Sequence, residues 1–397
     1  MPVIDLGSVV GPQGVQGVPG VPGVQGIQGN PGPNQVTDQT STNLNGVLFG
    51  SQSRVAVKPV DSTPTADSTN LVSSGGTDKA IKARMPVNGM GKNLLDNWYF
   101  QNPVNQRGQS SYVGANAVYT IDRWRCGLGS GASLTVGVNT SGITLTKTGS
   151  AAGNFTQVIE TTRVRQGMVA TLSVLIDEIS VTSDVKPCLF IFTGNSGAYY
   201  HLESIAVNSV GLHSFTFTIP ELTNYNTFMI GFGAATPAST QTAVYTARIR
   251  AFKLEFGTEQ TLAHQENGVW VLNEIPDYGE ELRKCQRYYV SLKPRAGGTP
   301  LIGTGIVVAN TQAAVTIPLP VTLNGATVSL GRSGTVKLWH GSTIGSSSAD
   351  ITGFVGSAVS DNSVTVTVSV SGGLNIGEVC ALQFRSEDAG LSFSCEL

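Results

Sequence analysis

Charge is scarce in this 397-residue chain, because Asp, Glu, Lys and Arg make up 13% of it, against ~25% in ordinary soluble domains. The formal net charge is −2 and no basic run is present, which argues against a nucleic-acid-binding surface. No apolar run approaches the ~20 residues that a bilayer-spanning helix needs, so no membrane insertion is expected. The first residues have neither a positive n-region nor a long apolar stretch, so no signal peptide is predicted.

The residue types that build metal and catalytic sites are also few. Five cysteines are scattered singly and four histidines form no H-x-x-H spacing, so no metal site is predicted. We expect the cysteines to be unpaired and buried in a protein made in a reducing cytoplasm. No G-x-S-x-G, P-loop or dinucleotide motif occurs, so no catalytic residue, no cofactor and no enzymatic activity are predicted.

A glycan-degrading enzyme stays open as an alternative, because such an enzyme needs two carboxylates ~5–9.5 Å apart and a sequence does not give distances. The carboxylates considered are Asp177, Glu178, Glu203 and Glu221.

Glycine is abundant, with 48 residues in the chain. Serine and threonine are also frequent, while long helix-favouring stretches are rare. This mixture predicts a mainly β protein with many turns.

The most regular feature is glycine at every third position of residues 11–34. This period is typical of a collagen triple helix, in which three polyproline II chains wind together and only glycine fits at the axis. A flexible glycine-rich linker is the alternative, but such linkers need no period. The segment predicts a collagen-like rod about 75 Å long and a parallel homotrimer. The trimerising glycines are Gly11, Gly14, Gly17, Gly20, Gly23, Gly26, Gly29 and Gly32.

Residues 35–92 are polar and rich in turn-forming residues, which predicts an extended neck. Thr77 is placed to cap a short helix that ends at about Arg84. So short a helix would need to pack against copies of itself in the trimer. Within residues 63–81 the runs T-P-T, N-L-V-S-S-G-G and A-I resemble a spacer of bacteriophage fibre and appendage proteins.

Alternating apolar and polar residues are frequent from residue 93 to about 277. Phe215, Phe217 and Ile219, for example, alternate with threonines, as a half-buried strand requires. Eight or so antiparallel strands at this spacing predict a jelly-roll-like β-sandwich over 93–277. The predicted strands lie near 132–138, 142–148, 157–164, 168–176, 187–193, 212–219, 227–233 and 243–256.

Five motifs follow one another in this part of the chain: N-L-L-D-N (93–97), N-Q-R-G (105–108), Y-T-x-D-R-W (119–124), K-L-E-x-G (253–257) and Y-x-x-E-L-x-x-C-Q-R-Y-Y (278–289). Their order resembles the carbohydrate-binding β-sandwich of phage and prophage tail fibres. The resemblance covers roughly residues 93–290 and implies a sandwich that binds a glycan of the host surface. It departs after Gly257, where T-E-Q-T-L replaces the usual Thr-Pro pair.

Residues 278–290 predict a connecting helix, since Leu282, Cys285 and Tyr289 share one helical face. Residues 291–397 predict a second β domain, either a sandwich or a trimeric β-knob, and end in C-E-L, which resembles the A-E-L end of the same fibre family. The predicted strands lie near 304–309, 312–318, 326–330, 334–339, 350–355, 363–370 and 377–386.

Aromatic residues on loops and strand ends are the candidate glycan contacts, because binding surfaces are commonly found there. Tyr199, Tyr200 and His201 follow a turn-rich loop, and Trp339 and His340 stand at a strand end. Packing within the strands is the alternative role of all five.

Two other segments have both a structural and a binding interpretation. Residues 98–100 are aromatic and either fill the sandwich core or contact a sugar. Residues 122–124 form either a structural ion pair beside a core indole or the rim of a glycan pocket.

Together these features predict a structural fibre of a bacteriophage virion, made in the host cytoplasm and exposed on the particle. Residues 1–10 would anchor it to a virion protein, and the rod and neck would hold the β domains out towards a host-surface glycan. A head fibre or capsid decoration appendage and a glycan depolymerase are the alternatives. A bacterial collagen-like surface protein is disfavoured by the missing signal peptide.

Overall fold

The computed structural model describes residues 13–21, 23, 26, 46–51, 54–61, 71–72, 91–195, 198–222, 227–235, 239–295, 298–325, 327–341 and 347–396. The protein is mainly β, as predicted, with strands numbered here in chain order. It divides into two units, Met1–Thr77 and Asp78–Leu397, and the boundary between them falls inside the predicted neck.

The first unit contains the start of the glycine repeat and a small sheet. Residues 13–21 have no regular secondary structure. Strands β1 (Gly46–Ser51) and β2 (Arg54–Asp61) form an antiparallel hairpin, and β3 (Leu71–Val72) runs parallel to β2. The predicted anchor at 1–10 and the predicted helix after Thr77 lie outside the described residues.

Two six-stranded antiparallel sheets begin the second unit and confirm the predicted β-sandwich. The first sheet has the spatial order β13 (Gly211–Thr218), β10 (Val169–Val181), β15 (Tyr245–Phe256), β8 (Gly142–Gly149), β7 (Ala132–Asn139), β4 (Ser111–Val113). The second has the order β12 (Ala198–Ala206), β11 (Cys188–Asn195), β14 (Thr227–Ala234), β9 (Gly153–Ile159), β6 (Trp124–Leu128), β5 (Val118–Tyr119). A 3₁₀ turn (Thr161–Arg163) stands where the predicted strand 157–164 was expected to continue.

Aromatic rings fill the centre of the sandwich. The indole of Trp124 stacks on Phe155, with ring centroids 4.7 Å apart, and Phe100 packs edge-on against Trp124 at 5.2 Å. Trp124 Nε1 donates to the Asn97 carbonyl oxygen at 2.9 Å, which satisfies the one polar atom of the ring. Trp98 and Phe100 are buried, so the core interpretation of these two rings is confirmed.

A hairpin and a helix connect the sandwich to the last part of the chain. The hairpin consists of β16 (Ala263–Glu266) and β17 (Val269–Leu272), and helix α1 spans Tyr278–Gln286. Asp277 caps the helix by accepting a hydrogen bond from the Glu280 N–H at 2.8 Å. The predicted helix end at residue 290 was wrong, because Tyr289–Leu292 form strand β18, where the β-forming Tyr and Val pair with another strand.

The C-terminal part is a closed barrel with a three-stranded sheet beside it. The barrel order is β19 (Leu301–Ala309), β20 (Gln312–Pro318), β24 (Ser363–Val370), β23 (Ser347–Val359), β22 (Val336–His340), β25 (Val379–Phe384). The sheet order is β18, β26 (Gly390–Ser394), β21 (Ser329–Ser333). The alternating valines of β24 are buried in the barrel core, as the sequence pattern predicts.

All five cysteines are unpaired, as predicted. Cys126, Cys188, Cys285 and Cys380 are buried, whereas Cys395 is partly exposed. Burial raises the pKa of the Cys188 and Cys380 thiols to about 11, so both stay protonated at neutral pH.

Candidate functional site

A buried group of charged side chains joins the sandwich to the end of the chain, and we call it the charged joint. Its members are Asp96, Arg107, Asp122, Arg123 and Glu396. Each of them lies in one of the sequence motifs that carry the tail-fibre resemblance.

Arg123 is fully buried at the centre of the joint. Its Nε lies 3.3 Å from Asp96 Oδ2, its Nη2 donates to the Val158 carbonyl at 2.9 Å, and its guanidinium carbon lies 3.5 Å from the ring centroid of Tyr288. Its backbone has a φ of 70°, in the left-handed region, and its N–H donates to Glu396 at 3.1 Å. A carboxylate, a carbonyl and an aromatic face replace part of the water around this buried guanidinium, while its Nη1 has no hydrogen-bond partner among the described residues.

Arg107 connects two carboxylates that are far apart in sequence. Its Nη1 lies 3.0 Å from Asp122 Oδ1, and its Nη2 donates to Glu396 Oε2. The guanidinium carbon lies 3.9 Å from the ring centroid of Tyr289. Glu396 therefore holds the residues that follow strand β26 against the sandwich.

Helix α1 docks on the N-L-L-D-N motif. Glu281 Oε2 accepts the Asn97 N–H at 2.6 Å. Asn97 has a φ of 53°, which Asn tolerates better than most residues, and its amide nitrogen donates to the carbonyls of Val104 at 2.9 Å and Asp122 at 2.7 Å. The hydroxyl of Tyr288 donates to Glu160, so Glu281 and Tyr288 attach both halves of the motif at 278–289 to the sandwich.

The K-L-E-x-G motif is buried as well. Lys253 Nζ lies 3.7 Å from Glu255 Oε2 and 3.3 Å from Glu274 Oε1, and Glu255 accepts the Thr261 N–H at 2.7 Å. These contacts hold the segment that carries the β16–β17 hairpin. The motifs therefore have structural roles, and because Asp122 and Arg123 are buried, the glycan-rim interpretation of residues 122–124 was wrong.

Burial changes the titration of the joint. It raises the pKa of Asp122 to about 7, because the cost of burying the charged form exceeds the stabilisation that the hydrogen bond from Gln106 and the charge of Arg107 provide. Burial also raises the pKa of Glu396, against the opposing effect of Arg107. Two carboxylates thus compete for one guanidinium at neutral pH.

The Asp122→Asn variant tests this competition. A carboxyl whose pKa is higher in the folded than in the unfolded state contributes stability below its unfolded pKa and loses that contribution as pH rises through about 7. The unfolding free energy of the wild type minus that of Asp122→Asn should therefore fall between pH 5 and pH 8, by on the order of 2–4 kcal/mol. Urea unfolding at a series of pH values measures it, and a difference that is flat or rises with pH would contradict the assignment.

Three of the predicted glycan contacts lie on strand β12, at the edge of the second sheet. Tyr199 pairs with Gly194 and His201 with Thr193, with a register shift between the two pairs, and Tyr200 lies at that irregularity. Their side chains fall outside what the structure describes, so their role as contacts stays a prediction.

Trp339 and His340 are adjacent in β22 and therefore lie on opposite faces of the barrel wall. His340 shares its face with the core residue Leu338, and its Nδ1 lies 3.2 Å from Glu378 Oε2 at the barrel rim. Hydrogen bonds from Asn375 and His340 lower the pKa of Glu378. Only Trp339 lies on the outer face, so the two residues do not form one surface.

Polar side chains surround the indole of Trp339 on this outer face; we call Lys337, Trp339, Gln383 and Arg385 the Trp339 surface. Trp339 is partly exposed, and its Nε1 donates to Gln383 Oε1. Gln383 is itself fixed, because its Nε2 donates to the Thr299 carbonyl at 2.8 Å. Arg385 lies 5.9 Å from the indole centroid. An aromatic ring beside fixed hydrogen-bonding groups suits the apolar C–H face and the hydroxyls of a sugar.

A small cavity lies beside the start of helix α1. Its volume is about 40 Å³, and it is lined by Asn97, Tyr99, Asn102, Ile275, Pro276, Tyr278 and Glu281. That volume holds about three water molecules at ~10–15 Å³ each, which is too little for a sugar ring. Both carboxylate oxygens of Glu281 are already hydrogen-bonded, to the Asn97 N–H and to Lys284. The cavity is therefore a weaker candidate than the Trp339 surface.

Two of the carboxylates considered for a depolymerase are paired with arginines. Asp177 Oδ1 lies 2.5 Å from Arg250 Nη2, and Glu178 Oε1 lies 2.7 Å from Arg248 Nη2. Within the described ranges, no group of three or more His, Cys, Asp or Glu side chains is placed to hold a metal ion. None of the described helices is long and apolar enough to cross a membrane.

Comparisons with known proteins give only distant likenesses. No protein-family model matches the chain, and no curated protein matches it. Among solved structures, the CBM22-1 xylan-binding domain of Xyn10C from Paenibacillus barcinonensis is similar at 12% identity and a TM-score of 0.26, over 44% of this chain and 100% of that one. The CBM22-1–CBM22-2 tandem of the same protein gives 10% identity and a TM-score of 0.27, over 78% and 97%. A structure described as CBM4 gives 14% identity and a TM-score of 0.22, over 44% and 100%. Nothing that these proteins bind is transferred to this chain at such low TM-scores.

Proposed function

We propose that the chain is a homotrimeric structural fibre of a bacteriophage virion that attaches reversibly to a host-surface glycan. The N-terminal residues 1–10 anchor it to a virion protein, the glycine repeat forms a collagen-like rod, and the β domains are exposed on the particle surface. The tail-fibre resemblance of residues 93–290 and the spacer resemblance of residues 63–81 support the viral assignment.

The observation that carries the proposal is that no contact within the described part of the chain explains the glycine period. A Cβ added at Gly14, Gly17, Gly20, Gly23 or Gly26 would meet no atom of the residues that the structure describes within 4 Å, and none of these five glycines has a positive φ. The intervening Val15, Val18 and Val21 are almost fully exposed. We therefore attribute the glycine at every third position to crowding between chains, which is the reason for the same period in collagen.

The Trp339 surface supports glycan attachment. Its indole ring is on the outer face of the barrel, and amide, guanidinium and ammonium groups that can bind sugar hydroxyls lie beside it. A single open surface of this kind binds weakly, and three copies on one rod raise the avidity by roughly 10²–10⁴.

Light scattering of the purified full-length protein tests the fibre proposal. We expect the mass of three chains, and we expect circular dichroism to show melting of the rod at a lower temperature in the double variant Gly17→Ala, Gly20→Ala, because a Cβ at the axis of a triple helix disrupts it. The matched double variant Val18→Ala, Val21→Ala leaves the axis unchanged and should keep the mass of three chains. A stable monomer or dimer of the wild type would contradict the proposal.

A further inference from the structure

Four neighbouring strands of the barrel wall carry no charged side chain. The strands β25, β19, β20 and β24 are consecutive around the barrel, and none of them contains Asp, Glu, Lys or Arg. The remaining strands β22 and β23 carry Lys337 and Asp350, whose charged atoms lie 3.2 Å apart. Surfaces of soluble domains ordinarily mix charges of both signs, so a wall without charge is unusual.

Exposed aliphatic side chains form a strip on this wall; we call Ile306, Val308, Ile376 and Val379 the aliphatic strip. Their exposed fractions are 49%, 47%, 75% and 63%. Ile306 lies directly opposite Val379 in the β19–β25 ladder, and Val308 follows two residues further on the same face. The Gly377 N–H donates to the Val307 carbonyl at 3.0 Å, which brings the turn with Ile376 beside this strand. A contiguous exposed apolar patch of this kind marks an interaction surface.

The closed barrel restricts how a partner can bind. The six strands pair in a complete ring, so the barrel offers no free strand edge to which another chain could add a strand. A partner must therefore pack against side chains on the outer face.

We propose that the aliphatic strip is the surface through which the barrels of three copies of this chain pack around a threefold axis. The inference rests on the proposed trimer. A residue near a threefold axis lies beside the same residue of the other two chains. A charged residue there would therefore face two like charges. The four strands carry no charged side chain, and Glu378, in the turn between Ile376 and Val379, is held by His340 at 3.2 Å. Three copies of this wall can therefore face one another without pairing like charges across it. Strand β22, which carries Lys337 and Trp339, then lies beside this wall and towards the outside of the trimer, with Gln383 of β25 at the border between the two.

The size of the wall indicates how strong the association is. Four strands ~4.8 Å apart and about seven residues long cover roughly 400 Å². A standard protein–protein interface buries ~800 Å² on each partner. Packing of the barrels is therefore weak on its own and depends on the rod, which holds three copies at a high local concentration.

Chemical cross-linking of the full-length protein tests the strip. In the Ile306→Cys variant a short bis-maleimide should join chains, since three copies of this position meet near the axis. The matched control is Val355→Cys, because Val355 is exposed on β23, opposite β19 in the six-stranded ring. The wild type controls for the partly exposed Cys395. We expect covalent dimers on a denaturing gel for Ile306→Cys, at least fivefold above both controls.

A second pair of variants tests the same surface without new thiols. Val379 and Val355 are both 63% exposed, so Val379→Lys and Val355→Lys make the same change inside the strip, on β25, and outside it, on β23, which β22 separates from β25. We expect Val379→Lys to lower the melting temperature of the trimer by several degrees and Val355→Lys to leave it unchanged. If the wild type has the mass of one chain, both the proposed trimer and the strip are wrong. If the wild type is a trimer but Ile306→Cys cross-links no more than Val355→Cys, or the two lysine variants melt alike, the strip assignment is overturned and the trimer stands.

Discussion

The Arg123→Met variant is expected to lose about 1.5–3 kcal/mol of unfolding free energy, because it removes charge-assisted hydrogen bonds to Asp96 and to the Val158 carbonyl, while Arg163 stays bound to Asp96 at 2.8 Å. Arg123 is fully buried, pairs with Asp96 and lies against the ring of Tyr288. Methionine fills much of the same volume, so the loss reports the missing charge and hydrogen bonds more than a cavity. The midpoint of urea unfolding, followed by tryptophan fluorescence, measures it.

The control for this prediction is Arg248→Met, which removes an arginine from an exposed ion pair. Glu178, its partner, is largely solvent-exposed, so this variant should lose less than about 1 kcal/mol. Equal effects of the two substitutions would show that the charged joint does not hold the sandwich to the end of the chain. The same joint predicts that Glu396→Ala lowers the urea midpoint, since Arg107 and the Arg123 N–H both lose an acceptor.

The Trp339→Ala variant is expected to abolish glycan binding by the trimer while leaving its mass unchanged. Removal of an indole platform weakens each site about tenfold or more, and loss of three-site avidity multiplies the effect to roughly 10²–10⁴. Because Trp339 lies on the outer face of the barrel, the core should tolerate the substitution. Binding of labelled wild type and variant to immobilised bacterial surface polysaccharides measures the loss.

Tyr278→Ala is the matched control, because Tyr278 is also an exposed aromatic residue but lines the small cavity beside helix α1. This variant should bind as the wild type does. Full binding by Trp339→Ala, or an equal loss in Tyr278→Ala, would show that the Trp339 surface is not the attachment site.

Much of the fold follows from patterns that act over a few residues. The alternation Val364 to Val370 predicts β24 with the observed ends, because a strand with one buried face needs a period of two. The same rule would have separated Trp339 from His340, since neighbours in a strand point to opposite faces. Helix α1 begins at Tyr278, as predicted, but it ends early because tertiary pairing with β26 takes Tyr289–Leu292 into a strand.

The charged joint could not be predicted in this way. Arg107 and Glu396 are 289 residues apart, and no local period connects them. The only signal was the order of the motifs, which indicated that these residues belong together but not whether they bind a ligand or each other. Because these side chains are buried in the structure, they bind each other and not a ligand. A motif of charged and aromatic residues therefore looks the same in the sequence whether its role is structural or ligand binding.

The most direct test of the account is a crystal structure of the full-length trimer with an oligosaccharide fragment of the polysaccharide that the wild type binds. The account predicts three barrels around one axis, with a sugar ring stacked on the indole of each Trp339 and hydroxyls within hydrogen-bond distance of Gln383 or Arg385. A sugar seated elsewhere with Trp339 bare would contradict the assignment of the site. Barrels that do not meet along the aliphatic strip would contradict the proposed assembly of the C-terminal part.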